Sequence, residues 1–304
     1  MIYVFGSCNM DMVLPVERHP QPGETILCGD YQLFPGGKGA NQAVAAARAG
    51  SVVSMVGCVG DDPYGPLLFE NLKNSHVGTS TLQTVKGRTG CAVIAVDEYG
   101  ENTILVSRGA NEHVGADHFP FEQLMPEDLV LLQMEVPLKE NWVVIQQASQ
   151  RGARTVLNLA PQAPVPYEVL EALDVLIVNE HEILEFDVMM SQTFHDHRER
   201  SLGLSQQFNM TVVVTLGGKG VLAVHEGDVL SLPAQPVQAV DTTAAGDAFV
   251  GYFAHCLSQG LDLESALVHG IAAGGLACTR PGAQASIPLW DEVESCLGGV
   301  CTRN

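Results

Sequence analysis

Two aspartates in one stretch of small residues could carry out acid–base chemistry. The stretch is AVDTTAAGDAFVGYFAH at residues 239–255, and it contains Asp241 and Asp247. A helix is predicted to begin near Ala245, so the free N–H groups of residues 244–246 would face an incoming anion, helped by the helix dipole. Asp247 would lie in the first turn, where a carboxylate can accept a proton from a substrate hydroxyl. The residues alone are equally consistent with aspartates that only cap a helix.

A second stretch, PGGKGANQAVAAARAG at residues 35–50, is a glycine-rich turn that leads into an alanine-rich helix. It is not a Walker A loop, because Lys38 is followed by Gly39 instead of Ser or Thr. Backbone amides in such a turn could hold sugar hydroxyls, and Asn41 adds a side-chain donor and acceptor. By itself, the stretch is equally consistent with a plain tight turn.

Together, the two stretches resemble the signature regions of the ribokinase-like family of sugar and nucleoside kinases. Further motifs of this family follow in its order: GSCNMD at 6–11, PGE at 22–24, MEVP at 134–137, NEHE at 179–182, TLGGKG at 215–220 and TRPGAQASIP at 279–288. The resemblance covers nearly the whole chain. It is specific, because few other families would show all of these motifs in this order.

The resemblance implies roles for individual residues, with Asp247 as the catalytic base. It implies that the sugar is contacted by Asn9, Asp11, Gly37, Lys38, Asn41, Glu135 and Asp247. It implies that ATP lies along Asn179, Thr215, Leu216, Gly217, Gly218, Lys219, Gly220 and Gly246. The implied anion hole consists of Ala244, Ala245 and Gly246.

Two cations are also implied by the resemblance. Mg²⁺ would accompany ATP, served by Asn179 and Glu182. K⁺ would be a monovalent activator that orders the loop beside the anion hole. Its implied ligands, several of them backbone carbonyls, are Asp241, Thr243, Ala277, Arg280, Gly282 and Ser286.

Two places depart from the family pattern. Relatives often carry Asn or His near the adenine, whereas the aligned residue here is Ile271. A side-chain hydrogen bond to the base is therefore not predicted there, and the preference among purines stays open. Residues 187–200 lack a regular helix pattern and are predicted to be an exposed polar connection or helix. His195 and His197 lie in this segment without a third fixed ligand for a metal.

The implied reaction is phosphoryl transfer from ATP to the primary 5-hydroxyl of a pentose, with D-ribose as the expected acceptor. Alternatives are a kinase for another small sugar such as 2-deoxyribose, a nucleoside kinase, or a sugar-binding sensor without catalysis. A nucleoside would need an apolar slot for its base, whereas the implied contacts are polar. The intact Asp247 argues against a sensor. Asn9 with Asp11 favours ribose, since both could bind adjacent hydroxyls.

The elements that must position these residues alternate between short apolar runs and helical stretches. Buried strands are predicted at 2–6, 52–56, 129–132, 155–159, 175–178 and 211–216, and a helix at 38–50. Such alternation predicts an α/β fold with a Rossmann-like, mostly parallel sheet flanked by helices.

Two stretches, 24–34 and 89–106, break that alternation and are typical of antiparallel hairpins. They predict a small β-sheet that acts as a lid over the site. We therefore expect one kinase domain over residues 1–304, with lid strands from about 11–35 and 88–108 inserted in it. An exposed lid edge would favour a homodimer through the lid.

The charge balance limits the classes of partner. With 15 basic and 35 acidic residues, the net charge of −20 disfavours nucleic acid and anionic membranes as partners. The resemblance implies a sugar and ATP as the ligands. The eight cysteines show neither CxxC pairs nor metal spacing, which is typical of buried reduced thiols. The first residues form a predicted strand instead of a signal peptide, so we expect a cytoplasmic protein.

Overall fold

A computed structural model describes residues 1–99, 101–190 and 194–299. The strands are β1 (Ile2–Phe5), β2 (Asn9–Pro15), β3 (Gln32–Gly36), β4 (Val53–Gly60), β5 (Val77–Gly78), β6 (Leu82–Val85), β7 (Gly90–Val96), β8 (Asn102–Ser107), β9 (Leu129–Leu132), β10 (Arg154–Asn158), β11 (Val175–Asn179), β12 (Thr211–Thr215), β13 (Val221–His225) and β14 (Asp228–Leu232).

The helices lie mostly between these strands. They are α1 (Lys38–Arg48), α2 (Tyr64–Asn74), α3 (Leu138–Gln150), α4 (Tyr167–Leu170), α5 (Phe186–Met189), α6 (His197–Phe208), α7 (Ala245–Ser258), α8 (Leu263–Ala277) and α9 (Trp290–Leu297). Within the described ranges, no helix combines the length and the apolar character that crossing a bilayer requires.

The central sheet of the described chain has ten strands. Its order is β14–β13–β12–β11–β10–β9–β1–β4–β5, and β6 also pairs with β4. The strands from β12 to β5 along this order run parallel, whereas β13 and β14 add an antiparallel edge. Parallel strands bring their carboxyl ends to the same edge of the sheet. The fold-class prediction of a mostly parallel, helix-flanked sheet with a small separate sheet is confirmed.

Both faces of this sheet are buried. Along β1, Ile2 and Val4 point into one hydrophobic cluster with α1, α7 and α8, while Tyr3 and Phe5 point into a second cluster with α3 and α6. This alternation follows from the two-residue period of a strand. It explains why the strands read as continuous apolar runs in the sequence.

The small sheet has the order β3–β2–β7–β8. Strand β2 pairs antiparallel with β3 and parallel with β7, and β7 pairs antiparallel with β8. The hairpin predicted at 89–106 thus corresponds to β7 and β8. The strand predicted at 24–34 is wrong for residues 24–31, which form no strand, because pairing with β2 begins only at Gln32.

The polar segment at 187–200 leads into helix α6, and side chains of the segment cap the start of that helix. Asp196 caps α6 by accepting a hydrogen bond from the backbone amide of Glu199 at 2.8 Å, and the Glu199 carboxylate accepts one from the amide of His195 at 2.9 Å. A cap of this kind satisfies amides that have no acceptor within the helix. Residues 191–193 of this segment lie outside the described residues.

Candidate active site

Three strands end and two helices begin around one cavity of about 230 Å³. Asn158, Asn179 and Thr215 are the last residues of β10, β11 and β12, and all three line this cavity. Lys38 enters it from the start of α1, and Asp247 from the first turn of α7. Ligands of open α/β sheets bind beyond the carboxyl ends of the strands, so this edge is the candidate active site.

Asp247 is held by two side-chain amides from α1. Its Oδ2 accepts a hydrogen bond from Asn41 Nδ2 at 2.9 Å, and its Oδ1 accepts one from Gln42 Nε2 at 2.9 Å. The carboxylate is only 6% exposed. Its negative charge is the largest influence on Lys38 and raises the pKa of that amine, whereas burial opposes the rise. The opposite charges of the two residues therefore influence each other across the cavity that both line.

The backbone just before Asp247 has an unusual conformation. Ala244 has φ of 59°, in the left-handed region that side chains other than glycine seldom adopt. Such conformations concentrate at functional sites. The amide of Ala245 donates to the Thr242 carbonyl at 3.3 Å, while Gly246 lies in the first turn, where amides lack an intrahelical acceptor. A Cβ on Gly246 would meet no described atom within 4 Å outside its own helix backbone, so the space beside its Cα is open.

Asp11, on strand β2 of the small sheet, lines a neighbouring cavity of about 490 Å³ together with Asp241 and Thr242. It is 7% exposed, and its Oδ1 has no hydrogen-bond partner among the described residues. Burial, then the nearby carboxylates of Glu135 and Asp247, raise the pKa of Asp11 to about 7, although Lys38 acts in the opposite direction. Asn41 Oδ1 is a second buried acceptor without a described partner. Buried acceptors of this kind suit a ligand with several hydroxyl groups.

Asn9, two residues before Asp11, is oriented by a residue that sequence reasoning missed. Asn111 Nδ2 donates to Asn9 Oδ1 at 2.7 Å. The other bonds of Asn111 fix the backbone of Cys8, whose amide donates to Asn111 Oδ1 at 2.9 Å. Asn111 is 1% exposed and lies in a short 3-10 turn after β8. Its only sequence signal is a polar residue just after a lid strand, and no motif marks it.

The glycine-rich turn brings the start of α1 against β2. Gly37 has φ of 88°, and a Cβ there would lie 2.8 Å from the backbone nitrogen of Asn9, so only glycine fits. Glu135 Oε2 then accepts hydrogen bonds from Ser7 Oγ at 2.6 Å and from the Lys38 amide at 3.0 Å. One carboxylate oxygen of Glu135 thus forms hydrogen bonds both to the segment after β1 and to the start of α1.

A second, larger cavity of about 440 Å³ adjoins the first and shares Gly246 with it. Of the residues implied for ATP, those that line it are Asn179, Thr215, Gly217, Gly218, Gly220 and Gly246. Leu216 packs against the hydrophobic core instead, and Lys219 pairs with Glu180 at 3.2 Å while remaining 75% exposed. The wall formed by α8 consists of Gly270, Ile271, Gly274 and Gly275.

Asn179 and Glu182 fix each other at the border between the two cavities. Asn179 Oδ1 accepts the amides of His181 at 2.9 Å and Glu182 at 2.8 Å, and Glu182 Oε2 accepts the Asn179 amide at 2.8 Å. Burial raises the pKa of Glu182, against the opposing effects of the Asn179 amide and Lys38. The Asn179 side-chain oxygen is therefore already engaged, whereas the Glu182 carboxylate lines the cavity.

Asp241 joins the segment before α7 to the loop after α8. Its Oδ1 accepts the Thr243 amide and its Oδ2 the Gly282 amide, both at 2.8 Å. Burial alone would raise the pKa of Asp241, but these hydrogen bonds outweigh it and lower the pKa. The same loop is tied by Arg280, which forms an ion pair with Glu292 of α9, and by Ser286, whose hydroxyl donates to a backbone carbonyl. Ala277, the last residue of α8, is fully buried.

The part of the chain that the structure describes holds no group of three or more His, Cys, Asp or Glu side chains able to bind a metal. The cation sites implied by the sequence would therefore depend on backbone carbonyls, hydroxyl groups, single carboxylates and the phosphates of ATP.

Comparison with known proteins identifies the class of this site. Residues 1–290 match the family model of the pfkB family carbohydrate kinases. The chain belongs to this family, so the prediction of a carbohydrate kinase is confirmed.

Individual relatives lie along almost the whole chain. A ribokinase of Bacillus subtilis is 38% identical over 97% of this chain and 99% of its own length. A deoxyribokinase of Salmonella typhimurium is 33% identical over 97% and 98%. The structure of Arabidopsis thaliana ribokinase complexed with ribose and ATP has a TM-score of 0.86 and 31% identity, covering 97% of this chain and 98% of that one.

Proposed function

We propose that the protein transfers the γ-phosphoryl group of ATP to the 5-hydroxyl of D-ribose, forming ribose 5-phosphate. The observation that carries the proposal is the position of Asp247. It lines the first cavity from the first turn of α7, and its neighbour Gly246 lines both cavities. Its carboxylate is held by Asn41, whose Oδ1 is a buried acceptor without a described partner. A hydroxyl held by the first pocket can give its proton to Asp247 as it attacks a phosphate held at the helix start.

The catalytic contribution of the chain is positioning and electrostatic stabilisation. The Gly246 amide and the dipole of α7 would face the transferring phosphoryl group. Of the anion hole predicted at Ala244, Ala245 and Gly246, the Ala245 amide already donates to the Thr242 carbonyl. Lys38 adds a positive charge beside Asp247. Asn9, Asp11, Asn41 and Glu135 bind the other sugar hydroxyls, together with backbone groups of Gly37 and Lys38.

Mg²⁺ fits the border between the two cavities, because oxygen ligands are the ones it prefers and Glu182 presents a buried carboxylate there. We propose that Glu182 serves the ion and that Asn179 acts by fixing Glu182. When bound with ATP, the ion neutralises charge on the phosphates.

We also propose that K⁺ activates the enzyme at the loop around Asp241. The carboxylate of Asp241 connects the two segments that meet there, so a cation at this point would order the backbone beside Asp247. Rates measured in K⁺, Na⁺ and a bulky organic cation should differ, with K⁺ the fastest. Equal rates in all three would reject this site.

A second candidate acceptor is 2-deoxyribose, favoured by the similarity to a deoxyribokinase reported above. The deciding experiment is sugar-dependent ADP formation with ribose, 2-deoxyribose, hexoses and nucleosides. We expect the highest kcat/KM with ribose. A higher value with 2-deoxyribose or a nucleoside would replace the acceptor, and ATP turnover unaffected by every sugar would reject the kinase itself.

The lid supports a proposed homodimer. All residues of β8 are exposed, and Ile104, Leu105 and Val106 are 50%, 69% and 49% exposed. An exposed apolar edge of this kind favours pairing with a second copy. Light scattering should give the mass of a dimer, and Leu105→Lys should shift it to the mass of a monomer.

We place the enzyme in the cytoplasm, consistent with the buried thiols of Cys8, Cys58 and Cys256.

A further inference from the structure

Helices α1 and α7 approach each other unusually closely beside Asp247. A Cβ on Gly251 of α7 would lie 2.3 Å from the Cβ of Ala45 and 2.7 Å from the carbonyl oxygen of Gln42. Neighbouring side chains such as Asn41 and Gln42 leave a helix in different directions. Both nevertheless reach the Asp247 carboxylate, because the absence of a side chain at Gly251 lets the two helices pack at this distance.

The side-chain amide of Gln42 has only one orientation that satisfies its neighbours. Its Nε2 donates to Asp247 Oδ1 at 2.9 Å and to Asn158 Oδ1 at 3.0 Å, which uses both hydrogens. Its Oε1 accepts from Gln133 Nε2 at 2.6 Å. The reversed amide would place oxygen against two acceptors, Asp247 Oδ1 and Asn158 Oδ1. Gln42 and Gln133 are both 0% exposed, so water cannot relieve such a mismatch.

The Gln133 end of this network is anchored in turn. Gln133 immediately follows β9, and its backbone carbonyl accepts a hydrogen bond from Asn141 Nδ2 of α3 at 2.7 Å. Asn141 is also fully buried. A continuous buried path therefore runs from α3 through Gln133 and Gln42 to Asp247. Gln42, Gln133 and Asn141 belong to none of the proposed sugar, ATP or cation sets.

We infer that Gln42 is a positioning residue that fixes the orientation of the Asp247 carboxylate for proton transfer. The inference rests on the proposed role of Asp247 as the base. Asp247 shares the site with three further carboxylates, Asp11, Glu135 and Glu182, and with one amine, Lys38. A neutral amide donor stabilises the carboxylate without introducing a second positive charge.

The first test replaces Gln42 by methionine, which is similar in size but cannot donate. Gln42→Met should lower kcat about tenfold to a hundredfold, the range that misplacement of a catalytic group can cost. The Kd for ribose, measured by calorimetry, should change less than about twofold. Val44→Ala in the same helix is the matched control, because Val44 is fully buried in the core. It should lower Tm without lowering kcat.

The second test replaces Gln42 by glutamate, which keeps the shape. Near pH 8 the introduced carboxylate repels Asp247, so Gln42→Glu should be less active than Gln42→Met. Towards pH 5.5 the introduced group gains a proton that it can donate. Its kcat relative to wild type should then rise. The other charged groups of the site, Asp11, Glu135, Glu182 and Lys38, are present in both proteins. A packing role alone predicts a ratio independent of pH.

Three outcomes separate this inference from the proposed function. If Asp247→Asn is inactive while Gln42→Met keeps the wild-type kcat, Gln42 does not position the base, and the base assignment stands. If Asp247→Asn is itself active, the proposed function fails first. If Gln42→Met does not fold, a pH-independent ratio for Gln42→Glu overturns the inference on its own.

Discussion

The proposed sugar side and the proposed nucleotide side of the site are built differently. On the sugar side, Asn9, Asp11 and Asn111 are 2%, 7% and 1% exposed and carry hydrogen bonds or unpaired acceptors. On the nucleotide side, a Cβ on Gly217 or Gly218 would meet no described atom within 4 Å. The first side can recognise individual hydroxyl groups of its ligand through hydrogen bonds. The second side presents glycine backbone with few side chains around it.

This difference teaches where selectivity can arise. A site built to hydrogen-bond a hydroxyl strongly rejects an analogue that lacks it, because a buried polar group is left unpaired. An apolar pocket discriminates related ligands by only about 10–200-fold. We therefore expect the enzyme to be strict about its sugar and tolerant about its nucleotide base.

The largest effect should come from Asp247, which both sides share. Asp247→Asn removes the base but keeps the size of the side chain, so kcat should fall by about 10²–10⁴-fold. Ribose binding measured by calorimetry should survive. A variant with near-normal kcat would mean that Asp247 is not the base.

The next effect concerns sugar selectivity at Asp11. In the wild type, ribose should be preferred over 2-deoxyribose by about tenfold to a hundredfold, since a buried group that loses its partner costs roughly 1–3 kcal/mol. Asp11→Ala should remove this preference, as measured by kcat/KM on the two sugars. An equal loss on both sugars, or no initial preference, would contradict direct contact with the hydroxyl that deoxyribose lacks.

The pKa of about 7 for Asp11 predicts a pH effect on sugar binding. If the carboxylate accepts sugar hydroxyls, ribose binding favours the ionised form. The Kd should then rise as pH falls below about 7, by up to tenfold per pH unit, and should level off above it. Calorimetry at pH 7 in buffers of different ionisation enthalpy should detect proton release on binding. Asp11→Asn should show neither effect, and a flat profile for the wild type would exclude this role.

The smallest effect is expected at the nucleotide base. The Ile271 side chain, on the α8 wall of the cavity of about 440 Å³, can offer the nucleotide base no hydrogen bond. The kcat/KM values for ATP and GTP should therefore differ by about tenfold or less. Ile271→Asn should increase the preference for ATP a few-fold. A wild-type preference above about a hundredfold would show that other groups read the base and would remove the contrast between the two sides.

Most of the fold could be predicted from the sequence, because strands buried on both faces form continuous apolar runs. The predicted strand at 129–132 coincides with β9, while β4 runs to Gly60, beyond the predicted end at residue 56. Residues 24–31 were misread because their apolar residues suggested a strand, whereas Leu27 and Tyr31 are exposed at 95% and 57%.

The candidate site was predictable only where a motif marks it. The structure brings Asn41 and Asp247, one from each signature motif, into contact across 206 positions of sequence. Asn111 was missed because its role depends on the meeting of a lid turn with β2. The role of Gln42, although it lies inside a motif, depends on the distance between two helices, which no local pattern encodes.

The bonds of Asn111 have a mechanical consequence for the small sheet. The chain enters that sheet after β1 and leaves it after β8, and Asn111 fastens the exit to Cys8 and Asn9 at the entrance. The turn at Gly37, where the chain returns from β3, presses against the same point. Any rotation of the small sheet against the large one must pivot there. Asn9 is thus close to the pivot point and would move least in such a rotation, while the far ends of β7 and β8 would move furthest.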